Sequence, residues 1–123
     1  MYEEDFDTTE GYHAMIRSNP TMGFLLGYLA IPQGHPWFGK DYDDIEAEVH
    51  GGLTYSKCPS EDRRFKDLFD NDKWIVGFDC GHYGDGIFGM EEGTVKTPEY
   101  VRKELRDLSR QAFEATSAKE ESC

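Results

Sequence analysis

Two kinds of apolar run occur in this chain, and the contrast between their periods restricts the fold more than any other feature. Residues 23–31 (G-F-L-L-G-Y-L-A-I, closed by Pro32) and 74–79 (W-I-V-G-F-D) are short, rich in β-branched or aromatic residues and bounded by turn-formers. Each predicts a buried strand. Toward the C-terminal end, Val101, Leu105, Leu108, Ala112 and Ala115 recur at offsets of three and four, with Arg102, Lys103, Arg106 and Arg110 between them. That spacing predicts an amphipathic helix whose apolar stripe faces a sheet. Thr97-Pro98-Glu99 supplies its start: a capping hydroxyl, a proline at the first helical position and an acid in the first turn.

Between the two strands, residues 45–56 alternate cleanly. Ile45, Ala47, Val49, Leu53 and Tyr55 fall on one side, and Glu46, Glu48, His50, Thr54 and Ser56 on the other. This predicts a third strand, interrupted at Gly51-Gly52 by a bulge or a close backbone approach. The expected fold is α+β: a small, mostly antiparallel sheet of three strands, with a fourth near residues 86–90, and the C-terminal helix packed on one face. The expected boundaries are an acidic N-terminal arm over residues 1–16, a single domain over 17–116 and a flexible tail over 117–123. The arm follows from Glu3, Glu4, Asp5, Asp7 and Glu10 standing without a basic residue, and residues 12–18 predict a helical turn that Asn19-Pro20 must end. Residues 57–72 should connect strands, with a brief amphipathic turn through Phe65, Leu68 and Phe69.

A chain of 123 residues, 37% hydrophobic and 31% charged, supports one core under a heavily solvated surface. The net charge of −12 opposes direct contact with nucleic acid or an anionic membrane and favours a basic partner. No apolar run approaches the ~20 residues needed to span a bilayer, and the opening Tyr2-Glu3-Glu4-Asp5 lacks a secretory pattern, so a cytoplasmic location is expected. Cys58, Cys80 and Cys123 form an odd set without a CxxC pair, which indicates neither a disulfide framework nor a cysteine-rich zinc site.

Two candidate sites stand out. The stretch G-F-D-C-G-H-Y-G-D at residues 77–85 gathers Asp79, Cys80, His82 and Asp85 among glycines at a strand's end. If an adjacent strand brings His50 beside it on the sheet face away from the helix, His50, Asp79, His82 and Asp85 would supply imidazole and carboxylate ligands for a divalent metal such as zinc, with His35 nearby. The spacing matches no recognised zinc signature, and a network of turn-stabilising hydrogen bonds is the commoner use of such residues. Cys80 would be a nucleophile if paired with His50 or His82, against the commoner role of an inert buried thiol. The second site is the acidic stretch Asp41, Asp43, Asp44, Glu46 and Glu48, beside Trp37, Phe38 and Tyr42, whose rings would anchor an interface. Its plain alternative is a solubilising surface.

Several longer signatures occur together: R-S-N-P-T-M-G-F-L-L-G-Y at residues 17–28, G-H-P-W-F-G-K-D-Y-D-D at 34–44, H-G-G-L-T-Y at 50–55, the run at 77–85, and T-P-E-Y-V-R-K-E-L at 97–105. Over residues 17–108 the chain resembles a widespread family of small proteins encoded by bacteriophages and prophages. The resemblance implies a phage accessory role in a bacterial cytoplasm and carries over no catalytic residue. The resulting expectation is a noncatalytic protein that binds a basic host macromolecule or a small ligand, such as a host-defence antagonist. The alternative is a small hydrolase, metal-dependent or His/Asp-based, acting on a phosphate-containing substrate.

Overall fold

At the centre of the sheet two strands exchange aromatic rings for hydrogen atoms, and this sets how closely they pair. The computed structural model describes residues 2–21, 23–80, 85–86, 94–95 and 97–121. Strands β1 (Glu3–Asp7), β2 (His13–Ser18), β3 (Leu25–Pro32), β4 (Tyr55–Lys57) and β5 (Lys73–Asp79) form one antiparallel sheet in the order β1-β2-β3-β5-β4. A short parallel pair, β6 (Asp85–Gly86) and β7 (Thr94–Val95), precedes the helix α1 (Pro98–Glu121). In the β3–β5 ladder Gly27 faces Phe78 and Tyr28 faces Gly77. A Cβ at Gly27 would lie 2.6 Å from Phe78 Cζ and 3.1 Å from Val101 Cγ1; one at Gly77 would lie 2.5 Å from Tyr28 Cδ1 and 2.7 Å from the Gly27 carbonyl oxygen. Each ring therefore occupies the space its cross-strand partner leaves by lacking a side chain.

Because strand residues alternate faces, these two pairs lie on opposite sides of the sheet. On the Phe78 side, Ala14, Ile16, Leu25, Leu29, Ile31 and Val76 pack against Val101, Leu105, Leu108 and Ala112 of α1, the stripe expected from the helical spacing. Thr97 starts the helix, its carbonyl accepting from Val101 N–H and its hydroxyl from Tyr100 N–H at 3.3 Å. On the Tyr28 side, Met15, Ala30 and Ile75 pack under Phe65, which is fully buried. The far face is thus not bare: residues 58–70, including a 3-10 turn at Pro59–Glu61, cover it. No helix among the described residues is long and apolar enough to cross a membrane.

Several expectations need correction. Residues 1–16 are not an arm but most of the β1–β2 hairpin, and residues 12–18 form strand β2 rather than a helical turn. The acids of β1 find partners brought by the fold: Asp5 meets the Arg17 guanidinium at 2.6 Å and the His13 ring at 3.1 Å, and Glu4 meets Arg102 of α1 at 2.6 Å. Cross-strand pairing and these ion pairs hold a segment whose composition alone reads as unstructured. Residues 117–121, expected to be a tail, continue α1 to Glu121. Of residues 45–56, only the end joins the sheet, in β4; Tyr55 turns to the Phe65 side, away from Ile45, Ala47, Val49 and Leu53, which pack on the helix side. Gly51 and Gly52, at φ +68° and +83°, let the chain change direction between the two. The fourth strand expected near residues 86–90 is represented only by β6; residues 87–90 lie outside those described.

Overpacking the central pair should destabilise the protein measurably. Urea unfolding of Gly27→Ala should show a loss of about 1–3 kcal/mol, and Gly77→Ala more, because its Cβ meets a backbone oxygen that cannot rotate away. Adding Phe78→Leu to Gly27→Ala should cost less than the sum of the two single changes, since both act on one contact.

Candidate functional site

The acidic stretch is held as a ridge by a chain of backbone anchors. Pro32, Gly34, Pro36 and Gly39 keep the chain after β3 out of regular structure, and His35 pins it there. The buried His35 ring accepts from Trp37 N–H at Nδ1 (2.9 Å), so Nε2–H donates to the Ala112 carbonyl of α1 at 2.8 Å. Trp74 Nε1 donates to the Lys40 carbonyl at 2.8 Å, and Tyr42 N–H donates to Ser56 Oγ at 3.0 Å. Between them runs a single 3-10 turn, Tyr42–Asp44.

Beyond that turn, Ile45, Ala47 and Val49 lie against the helix-side core, so Glu46 and Glu48 point outward. No strand among the described residues pairs with this segment; side chains of α1 take the ladder's place. Gln111 Oε1 accepts from Glu48 N–H and Gln111 Nε2 donates to the Glu48 carbonyl, both at 2.7 Å. Two helical turns earlier, Glu104 Oε1 accepts from His50 N–H at 2.8 Å. The alternation over residues 45–50 is therefore real, but it marks an extended segment clamped to a helix rather than a sheet strand.

Asp41, Asp43, Asp44, Glu46 and Glu48 are all exposed, and none forms an ion pair with a described residue. Tyr42 stands among them at 38% exposure. Beside the ridge, a groove of about 590 Å³ between residues 36–46 and α1 is lined by Trp37, Lys40, Asp44, Glu46, Glu114 and Ala115, among others. The other two rings expected as interface anchors belong to the fold. Trp37 is only 5% exposed and joins the core, and Phe38 is half-buried against Trp74 with ring centroids 6.3 Å apart. Of these three rings, only Tyr42 is substantially exposed.

Of the residues expected to form a metal or catalytic centre, the described ones are His50, Asp79 and Cys80. His50 lies under α1, its Nδ1 2.9 Å from the Tyr100 hydroxyl, so the helix packs over position 50 instead of leaving it open. The alternation that carries Ile75 and Gly77 to the far face carries Asp79 there too, where its charge is felt by Tyr28. Cys80 returns to the helix-side core at 1% exposure, its N–H donating to the Leu25 carbonyl. His50 and Asp79 are thus on opposite sides of the sheet; the side chains of His82 and Asp85 lie outside the described residues. Among the described residues no three His, Cys, Asp or Glu side chains come together as a metal-binding set.

One cluster escaped the sequence reading. Arg64 stacks over Tyr28 (4.8 Å to the ring centre) and Phe65 (5.1 Å), donates to the Tyr28 hydroxyl at 2.6 Å, and grips Asp62 through Nε and Nη2 at 3.0 and 2.7 Å. Tyr55 donates at 2.6 Å to Asp62 Oδ2, the oxygen that also accepts from Arg64 Nη2. Burial would raise the Asp62 carboxyl, but the hydrogen bonds from Arg64 and Tyr55 outweigh it and hold it well below the usual carboxylate range. Burial and then the bond to Asp62 push the Tyr55 phenol well above the usual tyrosine range. Only tyrosines scattered at positions 28 and 55 and an Asp-x-Arg pair hinted at this cluster, and no local spacing joins them.

No protein family model, no curated protein and no solved structure matches this chain.

The signs of these shifts predict a bell-shaped stability profile. A depressed Asp62 contributes fully above its unfolded value of about 3.9 and loses that contribution as pH falls toward its lower folded value. A raised Tyr55 contributes fully below about 10 and loses its contribution as pH rises beyond it. Thermal melts should therefore show Asp62→Asn with a shallower acid limb, not a flat one, since Glu4 and Asp5 are also held low. Hydrogen exchange should show Gln111→Ala accelerating the Glu48 amide while the β3 and β5 amides stay protected, at a cost of about 1 kcal/mol.

Proposed function

We propose that this protein is a noncatalytic binding protein whose acidic ridge, Asp41–Glu48, captures a basic partner protein. One observation carries the reading: five exposed carboxylates, none in an ion pair with a described residue, project from a segment whose backbone is tied at Tyr42 to Ser56 and at Glu48 and His50 to α1. A solubilising surface has no need of such anchoring, whereas a preorganised array of charge loses little entropy when it meets a partner. The adjoining groove carries Asp44 and Glu46 beside Lys40, while its third acid, Glu114, is paired with Arg110; Asp44 and Glu46 can meet the head of a partner's lysine or arginine side chain. Tyr42 adds the exposed aromatic ring that interfaces favour.

The charge of −12 steers such a partner from a distance, and the ridge gives the encounter a place to end. The resemblance to phage-encoded proteins supports a bacterial host protein as the target, one whose basic groove otherwise holds phosphates. Interference with a host defence is the purpose this would serve. The hydrolase alternative has less support, because His50 and Asp79 stand on opposite sides of the sheet.

A charge-matched comparison tests the ridge. The variant D41N/D43N/D44N/E46Q/E48Q should lose the bacterial proteins that the native chain retains at low salt and releases at high salt. Neutralising five exposed acids elsewhere, Glu61, Asp67, Asp70, Asp72 and Glu99, should leave that retention within roughly threefold. Equal loss in both variants would mean that only net charge matters and would overturn the reading.

A further inference from the structure

A second cleft, lined by none of the ridge residues, opens where β1 and the end of β2 meet residues 63–68. It encloses about 780 Å³, the size of a small-molecule site. In a chain of net charge −12, three of the six arginines, Arg17, Arg63 and Arg64, stand on its wall. Tyr2, Pro20 and Leu68 give it carbon surface, and Leu68 is 53% exposed, one of only three large hydrophobic side chains left so open among the described residues.

Arg17 is the telling member. Its side chain is nine-tenths buried, yet all its contacts run through one nitrogen: Nη1 donates to Asp5 at 2.6 Å, to the Ile16 carbonyl at 2.9 Å and to the Glu4 carbonyl at 3.4 Å. Nε and Nη2 donate to no described protein group, so a buried cation holds N–H donors in reserve at the cleft. Arg63 is exposed and makes no ion pair with a described residue, while Arg64 is committed to Asp62 and Tyr28.

The cleft also has acids, but most are already answered. Glu4 is bound by Arg102, and Asp5 is shared by Arg17 and His13. Glu3 and Asp67 are exposed and can turn to water.

We propose that this cleft binds a small organic anion: an oxyanion head held by the reserve donors of Arg17 together with Arg63, and an apolar body lying on Leu68, Pro20 and Tyr2. Guanidinium groups bind carboxylate and phosphate in the same forked manner, so the head is one or the other. The apolar body follows from the carbon surface that inorganic phosphate alone would leave uncovered. This site is independent of the acidic ridge, and either can fail without the other.

Titration of the labelled protein with phenyl phosphate, 3-phenylpropionate, inorganic phosphate and the neutral 3-phenylpropanol, followed by NMR, tests it. One of the two aromatic anions should saturate, shifting the Arg17 Nε–H and the Leu68 methyls together, and the better of them identifies the head group. Inorganic phosphate and the neutral alcohol should each bind at least roughly tenfold more weakly. Arg63→Gln leaves the Arg17–Asp5 pair and the fold in place, and should also weaken binding roughly tenfold. Leu68→Ser should weaken the aromatic anions while leaving inorganic phosphate unchanged. Absence of binding at millimolar anion, equal binding of the neutral alcohol, or indifference to Arg63→Gln would each overturn the proposal.

Discussion

The reciprocal contacts between Gly27 and Phe78 and between Gly77 and Tyr28 are the constraint from which the rest of the molecule follows. Each fixes the register of β3 against β5, since a slip of one residue would drive a ring into a side chain and turn every core residue to the wrong face. Each ring also continues into the layer above it. Phe78 lies by Val101 and so sets the seat of α1. Tyr28 meets Phe65 edge to face with centroids 5.0 Å apart and takes the Arg64 guanidinium, and so sets the seat of residues 58–70. A two-residue coincidence in the ladder thereby positions both covers of the sheet.

With both faces covered, what this protein can offer a partner lies at the margins. The ridge is displayed because Ile45, Ala47 and Val49 are drawn into the helix-side core while Gln111 and Glu104 satisfy the backbone that no strand pairs. Such a segment combines a loop's exposure with an anchored backbone, which suits recognition better than either a strand or a free loop. His35 has an analogous part: its two ring nitrogens tie the loop before the ridge to α1, so an imidazole that invites a reading as a ligand is consumed as a structural link.

Elements with a strong local period were legible in the sequence. The stripe Val101–Leu105–Leu108–Ala112, the cap at Thr97 and the runs that became β3 and β5 needed no tertiary information. The β1–β2 hairpin was illegible because its acids are paired with Arg17 and Arg102, the latter nearly the whole chain away. Residues 45–50 misled in another way, since alternation reports an extended backbone with one buried side and not what pairs with it. The ridge carboxylates were found because they are contiguous. The Arg64 cluster and the cleft by Arg17 were not, because their members come from separate strands and turns and meet only after folding.

The most direct test of this account is an isotope-edited NOESY of the folded protein read at two glycines. The account predicts α-protons of Gly27 and Gly77 shifted upfield by overlying rings, with cross-peaks from Gly27 to the Phe78 ring and from Gly77 to the Tyr28 ring. Glycine α-protons at unshifted positions, or cross-peaks from either glycine to a different strand partner, would contradict the register. The placement of both covers, the ridge and the cleft would fall with it.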